Sequence, residues 1–262
     1  MILDEVKEAY VKDLMAHGRR ADGRQMLQYR PIKVEKSVYS NCEGSAIAFV
    51  GDTKVLAGVK VDAVEPFSDR PGEGVLSVNA EFAPLAHPGF TAGPPNEDSI
   101  ELARVVDRGI RAAGTIDLAK LALPDGKVWG VFVDLYVLDH CGNLTDAAAL
   151  AAMAALSCTK LPSYSPGNSE SEGVVDRENR VSPLPLLNKV LTVTFEKISG
   201  KIVVDATEEE EVASDGRLTI AVCDGQFMVA GQKSGRAGFS KREMMELLDI
   251  ALGKFGELAV LV

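Results

Sequence analysis

Three arginines recur at helical spacing between residues 97 and 113, and their side chains suit a polyanion. At about 100° per residue, Arg104, Arg108 and Arg111 fall on one face of a predicted helix. The opposite face is apolar and comprises Leu102, Val105, Val106, Gly109, Ile110 and Ala113. Planar guanidinium groups match the geometry of phosphate oxygens and stay charged at any working pH. The spacing therefore predicts an anion-binding face.

An ordinary solvated face is the competing interpretation of these arginines. Glu101 precedes Arg104 by three residues, and Asp107 precedes Arg111 by four, so ion pairs within the helix are available. Spacing alone favours the solvated face. The choice depends on the rest of the chain.

The loop Gly142-Asn143-Leu144-Thr145-Asp146 leads into an alanine-rich segment that predicts a buried helix over residues 146–160. The start of a helix suits an anion because its first backbone amides have no partner in the helix. This loop supplies a carboxylate and no cation. We therefore expect Asp146 to repel an anion there and to act as the N-cap of the helix.

Composition excludes several classes of function. A net charge of -10 and a pI near 4.9 oppose indiscriminate binding of nucleic acid, so any such contact must come from a local patch. Four cysteines and three histidines are scattered without metal-ligand spacing, and no Gly-rich nucleotide loop is present. We expect no metal and no cofactor, and the free cysteines fit a reducing cytoplasm.

The N-terminal segment is expected to be an amphipathic helix with Ile2, Val6, Tyr10 and Leu14 on one face, rather than a secretion signal. The longest apolar stretch, residues 147–157, is too short to span a bilayer, which takes about 20 residues. A soluble cytoplasmic protein without a membrane partner is predicted.

The remaining pattern predicts an α+β fold. Strands are expected at residues 32–39, 45–50, 54–61 and 75–83, as one antiparallel sheet, and at 128–138. Pro162 is expected to end the alanine-rich helix, and polar residues 163–183 are expected to form a linker or surface crossing. Further strands are expected at 189–197, 201–206, 218–222 and 227–231, followed by a helix with a Ser240/Glu243 capping box and a buried stripe of Leu247, Leu248, Ala251 and Phe255.

This organisation divides the chain into four parts. They are an N-terminal helix and arm (1–29), a first half (30–162), a crossing segment (163–187) and a second half (188–262). Residues 44–58 and 216–231 share a glycine, strand, Asp-containing turn, strand pattern. It suggests a duplicated unit, with chance similarity of two hairpins as an equal alternative.

Several motifs together resemble the RNase PH family in the family's order. They are Arg20-Ala21-Asp22-Gly23-Arg24, Tyr29-Arg30-Pro31, Gly44-Ser45, Gly51-Asp52-Thr53, Glu81-Phe82-Ala83-Pro84, the arginine helix and Asp139-His140-Cys141-Gly142-Asn143. Within the family, residues 101–108 and 142–147 most resemble the non-catalytic subunits of the archaeal exosome.

The resemblance implies a duplicated βαβα fold with mixed or antiparallel sheets and helices packed on them. It also implies a heterodimer with a catalytic RNase PH-like subunit, three such pairs in a hexameric ring, RNA as a ligand and RNA-binding cap proteins as further partners. Phosphorolytic members hold phosphate in a Gly-Thr-Arg-Ser type of loop. Here Thr145 aligns with the arginine and Asp146 with the serine, so Gly142, Asn143, Thr145 and Asp146 are expected to form a degenerate phosphate loop.

The family's catalytic acid is expected within residues 204–215, where this chain lacks the family's Glu-Asp pair. Glu210, Glu211 or Asp215 could stand near that position, and residues 208–211 are otherwise typical of a solvated turn. We therefore assign no catalytic residue.

Three hypotheses follow. The leading one is a non-catalytic subunit that structures its partner's active site and binds the RNA backbone through Arg104, Arg108 and Arg111. The alternative is that the chain is itself a phosphate-dependent exoribonuclease. A structural RNA-binding protein, such as a ribosomal component or a kinase-like relative, fits the net charge and motifs poorly.

Overall fold

A computed structural model describes residues 2–167 and 173–262 of the chain. The helices are α1 (Ile2–Ala16), α2 (Glu97–Ala112), α3 (Leu144–Cys158), α4 (Glu208–Val212) and α5 (Lys241–Ala259). The strands are β1 (Ile32–Lys36), β2 (Gly44–Val50), β3 (Thr53–Val64), β4 (Val75–Phe82), β5 (Val128–Asp139), β6 (Lys160–Ser165), β7 (Val174–Pro183), β8 (Val190–Ile198), β9 (Lys201–Val204), β10 (Gly216–Cys223) and β11 (Phe227–Gly235). The predicted α+β class is confirmed.

The first half contains a five-stranded sheet in the order β1-β2-β3-β5-β4. Strands β1, β2 and β3 are antiparallel neighbours, as predicted. The prediction that residues 75–83 join this antiparallel set is wrong, because β4 pairs only with β5 and runs parallel to it. Parallel neighbours need a long crossover, and α2 supplies it between β4 and β5.

Helix α2 begins and ends where its sequence signals indicate. The side chain of Asn96 accepts a hydrogen bond from the Ser99 amide at 2.9 Å, and Gly114, with φ +59°, follows the last turn. The apolar face is buried, including Leu102 and Ile110. This burial directs the arginine face outward.

Helix α3 lies between the two sheets and is buried nearly all round. It packs on β2 and β3 on one side and on β8 on the other, and its alanines allow both sheets to approach closely. The helix ends at Cys158, so the prediction that Pro162 terminates it is wrong: Pro162 lies within β6. One hydrophobic core therefore joins both halves around α3.

The chain between the halves is more ordered than a linker. Residues predicted as a polar crossing contribute to β6 and β7, which pair as an antiparallel ribbon. Ion pairs of Arg177 with Glu43 and Asp62 tie this ribbon to the first half. Residues 168–172 of the predicted crossing lie outside the described residues.

The second half is an antiparallel sheet in the order β11-β10-β8-β9, with α5 packed on it. The three-residue connection between β10 and β11 has positive φ at both Asp224 and Gly225, as a type I′ turn requires. The Ser240/Glu243 capping box of α5 is confirmed. Its buried stripe is Leu247, Ala251, Phe255 and Leu258, whereas the predicted Leu248 is only half-buried.

Helix α1 buries a different face from the one predicted. Val11 and Met15 are buried against Ile198 and Val203, which form a small separate core. Val6 and Tyr10, which were predicted to share the apolar face of this amphipathic helix, are exposed. The apolar spacing of α1 therefore predicted a helix correctly and its contact face incorrectly.

Candidate functional site

The loop before α3 is held tightly against the second half. Gly142 has φ +95°, and a Cβ atom built there would lie 2.4 Å from the carbonyl oxygen of Ala206. Asn143 is also left-handed, with φ +55°. Glycine at 142 is therefore required twice, by conformation and by the close approach of another backbone.

Asp146 is not the N-cap, which corrects the prediction. The N-cap is Asn143, and its side chain makes no capping hydrogen bond. Asp146 lies in the first turn of α3 and is completely buried. Its carboxylate accepts hydrogen bonds from the Tyr29 hydroxyl (2.8 Å) and the Thr194 hydroxyl (2.8 Å).

Three further donors complete the surroundings of this carboxylate. They are the Asn143 side-chain amide, the Thr192 hydroxyl and the Thr194 backbone amide. Burial raises the pKa of Asp146, and these hydrogen bonds oppose the rise. Asp146 thus joins the start of α3 to strand β8 and faces the interior rather than the amides where an anion would bind.

Glu211 supplies the carboxylate that does lie at the start of α3. The Asn143 backbone amide donates to its Oε1 atom at 2.9 Å, and Arg217 pairs with it at 2.8 Å. Arg217 also pairs with the buried carboxylate of Glu196. Glu211 thus occupies one of the backbone amides that a bound phosphate would use, and it also forms an ion pair with Arg217.

The four consecutive glutamates form helix α4 rather than the predicted solvated turn. Glu210 is buried and pairs with Arg20, which is buried as well, at 2.5 Å. Thr207 and Glu210 form a capping box, and Thr207 is the N-cap. The sequence separation of 190 residues between Arg20 and Glu210 explains why the pattern of glutamates alone did not indicate this role.

Asp205 connects the N-terminal arm to the same region. Its carboxylate pairs with Arg24 at 2.8 Å and with Arg30 at 2.7 Å, and it accepts from the Asn143 side chain at 3.0 Å. Burial would raise the pKa of Asp205, but the hydrogen bonds and charge of Arg30 outweigh it, so the pKa is lowered. The motif residues between 20 and 30 therefore act structurally here.

Asp215, the third acid considered for catalysis, has different contacts from Glu211. It accepts a hydrogen bond from the Ser199 amide and pairs with Lys12 of α1. Both contacts stabilise a turn and the first helix. Of the three candidate acids, only Glu211 contacts the loop before α3.

A cleft of about 350 Å³ opens beside this loop, between the two halves. Its lining residues are Phe82, Phe90, Asp98, Glu101, Leu102, Val105, His140, Leu144, Thr145, Glu211, Arg217, Thr219, Gln232 and Ser234. Three carboxylates thus face one guanidinium, which is already paired. The cleft disfavours an anion by simple electrostatics.

His140 adds no positive charge to the cleft. Its ring stacks on Phe90, with centroids 5.6 Å apart. The Gly142 amide donates to its Nδ1 atom at 3.3 Å, which requires that nitrogen to be an acceptor. Burial lowers the pKa of His140, so the neutral ring dominates at neutral pH.

The arginines of α2 have different surroundings from one another. Arg111 donates to both carboxylate oxygens of Asp107 and to the backbone oxygen of Leu76. Arg108 is exposed and donates to the side-chain oxygen of Gln232 at 2.7 Å. Arg104 is exposed, and within the described part of the chain it has no hydrogen-bond or salt-bridge partner. Arg104 and Arg108, which form no salt bridge within the described residues, border a groove next to the cleft.

Among the helices of residues 2–167 and 173–262, none combines the length and hydrophobicity that crossing a bilayer requires. In the same ranges, His, Cys, Asp and Glu side chains form no group of three arranged to hold a metal ion.

Comparisons with known proteins agree with the fold and the motifs. A model of domain 1 of the 3' exoribonuclease (RNase PH) family matches residues 28–162, and a model of its domain 2 matches residues 189–254. The exosome complex component Rrp42 of Thermococcus kodakarensis is 43% identical over 258 residues, which cover 98% of this chain and 94% of the relative. Rrp42 of Methanocella arvoryzae is 42% identical, covering 97% and 94%.

A solved structure is similar over nearly the whole chain. It is described as an Archaeoglobus fulgidus exosome with RNA bound to the active site, and the match has a TM-score of 0.89 and 41% identity. The match covers 99% of this chain and 98% of the other. Two matched domains and near-complete similarity leave no support for a ribosomal or kinase-like protein. The chain belongs to the 3' exoribonuclease (RNase PH) family.

Proposed function

We propose that the chain is the non-catalytic RNase PH-like subunit of an archaeal exosome. Full-length similarity to proteins named exosome complex component Rrp42 supports the assignment to this complex. Similarity to an exosome structure with bound RNA supports RNA as the ligand of the assembly. The complex degrades RNA in the cytoplasm, and this chain contributes to it without performing the chemistry.

The observation that carries the non-catalytic assignment is the position of Glu211. Its carboxylate accepts a hydrogen bond from the Asn143 amide at the start of α3 and pairs with Arg217, the guanidinium that lines the cleft. Thr145 supplies only a hydroxyl where the family's phosphate loop has an arginine. An incoming phosphate would meet carboxylates and no uncompensated cation, so its binding is disfavoured.

The chain's role is then to assemble and to bind. It pairs with a catalytic RNase PH-like subunit, and three such pairs close a hexameric ring that accepts RNA-binding cap proteins. From across the pair interface it structures the partner's active site. Arg104 and Arg108 contact the RNA backbone, a sequence-independent interaction that suits an exonuclease accepting any sequence. Arg111 is held by Asp107 and Leu76, so we do not include it among the principal contacts.

One observation favours the alternative that the chain itself cleaves RNA with phosphate. Asp146 points into the core, so it does not block the amides at the start of α3 directly. The Thr145 hydroxyl lines the cleft and could donate to phosphate. Glu211 remains the obstacle to this alternative, since it occupies the Asn143 amide with negative charge.

Activity measurements separate the two functions. The purified chain, its RNase PH-like partner and the co-purified pair are each given inorganic phosphate, Mg²⁺ and oligoadenylate, and release of nucleoside diphosphate is measured. We expect release by the pair and none by this chain alone. Release by the chain alone at a rate comparable to that of the pair would reject the non-catalytic assignment. Failure to co-purify an RNase PH-like partner would reject the proposed assembly.

A further inference from the structure

A neutral amide lies between two opposite charges on the outer face of α2. Gln232, on strand β11 of the second half, accepts a hydrogen bond from Arg108 through its Oε1 atom at 2.7 Å. Its Nε2 atom points to Glu101 Oε1 at 3.5 Å, the outer limit of a hydrogen bond. The amide thus meets the guanidinium with its acceptor and the carboxylate with its donor.

This arrangement controls how much charge Arg108 can offer. Glu101 and Arg108 are seven residues apart on α2, about two helical turns, so they lie on the same face. A direct ion pair between them would neutralise the guanidinium. An amide satisfies both groups and adds no charge, so Arg108 is fixed in place while its positive charge stays uncompensated.

Arg111 shows the opposite situation on the same helix. Two of its nitrogen atoms are held by the Asp107 carboxylate and the Leu76 carbonyl oxygen, and Asp107 compensates its charge. Arg108 is tethered only by a neutral group. The two residues are one turn apart, which makes Arg111 an internal comparison.

A groove of about 290 Å³ runs along this surface and uses both halves of the chain. Its lining residues are Glu97, Ile100, Glu101, Arg104, Val105, Arg108 and Gln232. All except Gln232 belong to α2. Gln232 is half-buried, and α2 packs against β11 here, so the second half sets the position of the arginine.

We propose that Gln232 is a positioning residue for RNA: it holds the Arg108 guanidinium at this groove and leaves its charge available to a backbone phosphate. The RNA-contacting surface is therefore built by both halves of the chain. This inference rests on the proposed function, because it assumes that Arg104 and Arg108 contact RNA.

The test uses the chain co-purified with its RNase PH-like partner and measures binding of fluorescent oligoadenylate between 50 mM and 500 mM salt. Gln232→Glu places a carboxylate against Arg108 and should remove one phosphate contact. The slope of log affinity against log salt should become shallower by about 0.7, the value for one contact to a single strand. Affinity at 0.1 M salt should fall about fivefold, as the same slope implies.

Two companion variants separate charge from position. Gln232→Ala removes the amide that separates Arg108 from Glu101 and adds no charge, so the two can pair directly; the slope should become shallower, and affinity should fall, by less than with Gln232→Glu. Gln226→Glu makes the same charge change on the exposed β10–β11 turn and should change neither quantity. In an Arg108→Gln background, Gln232→Glu should have no further effect, which a general electrostatic effect of the new carboxylate would not reproduce.

The outcomes distinguish this inference from the proposed function. If Arg108→Gln makes the slope shallower but Gln232→Glu leaves it unchanged, the positioning role is overturned and the RNA contact stands. The role is also overturned if Gln226→Glu acts as strongly as Gln232→Glu. If Arg104→Glu with Arg108→Glu leaves the slope unchanged, the RNA contact itself fails.

Discussion

The outer face of α2 and the start of α3 both carry several charged residues, but these residues differ in burial and in pairing. On α2, Arg104 and Arg108 are exposed, and neither forms a salt bridge with a carboxylate of the described residues. At the start of α3, Asp146 and Asp205 are buried among donors that saturate them. The charged groups on α2 are therefore accessible to a ligand, whereas those at the start of α3 form contacts within the protein.

Burial explains the difference. A charge removed from water must be paired or hydrogen-bonded, and once it is, little of it remains for a ligand. A charge on a solvated helix face is already stable in water and keeps its capacity to bind. The substitutions below should therefore alter stability in one region and RNA binding in the other.

The largest expected effect is on stability, from Asp146→Ala. This change removes the acceptor of five donors, among them the Tyr29 and Thr194 hydroxyls, and each buried donor left unpaired costs about 1 to 3 kcal/mol. After relaxation we expect a loss of about 4 kcal/mol in the free energy of unfolding, measured with urea. Arg104→Ala should change it by less than about 0.5 kcal/mol. Equal losses in both variants would contradict the contrast.

The next effect is on RNA binding, from Arg104→Glu combined with Arg108→Glu. Each reversal removes one phosphate contact and adds repulsion. The assembled pair should bind oligoadenylate at least tenfold more weakly at 0.1 M salt, with a shallower salt dependence. Thermal unfolding should be nearly unchanged. An unaltered salt slope would show that these arginines belong to the solvated face that spacing alone favours.

A smaller effect is expected from Arg111→Ala, which tests whether this arginine is structural. Loss of its contacts to Asp107 and Leu76 should lower the free energy of unfolding by about 1 kcal/mol. The salt slope of RNA binding should stay constant, since the guanidinium is compensated. A shallower slope would return Arg111 to the predicted RNA-binding set.

The smallest effect concerns acid stability and Asp205. Its folded-state pKa lies below the ordinary value of 3.8, so its contribution is complete above that value and is lost as the pH falls through the lower folded pKa. The difference in melting temperature between the wild type and Asp205→Asn should therefore narrow as the pH is lowered from 5 to 2.5. Asp69→Asn, at an exposed position, should change the melting temperature little.

The anion site shows how far sequence reasoning reached. Charge types at residues 142–146 predicted a degenerate phosphate loop, which stays a prediction, and the N-cap role given to Asp146 was wrong. Thr192 and Thr194, which donate hydrogen bonds to Asp146, lie 46 and 48 residues away in sequence on strand β8. No local sequence pattern indicates these contacts. Glu211 was named only as one of three candidate acids, and its contact with Asn143 spans 68 residues.

Errors in the fold have the same origin. The 3.6-residue period predicted α1 but not which side of it is buried, because that depends on Ile198 and Val203 of the second half. The strand at β4 was predicted, but its parallel pairing with β5 depends on the crossover through α2. Hydrophobic periodicity predicts whether a segment is a helix or a strand, but not which element it packs against.

By itself, the sequence determined the local elements: α2 with its Asn96 cap and outward arginines, the capping box of α5, the Asp224-Gly225 turn and the motifs of the family. These depend on backbone geometry and on residues within one or two turns. Only the tertiary structure decided the partners of the carboxylates. Asp146 faces β8, Glu211 accepts a hydrogen bond from the Asn143 amide, and Gln232 lies between Glu101 and Arg108. The physical reason is that the availability of a charge depends on burial and on partners that are distant in sequence.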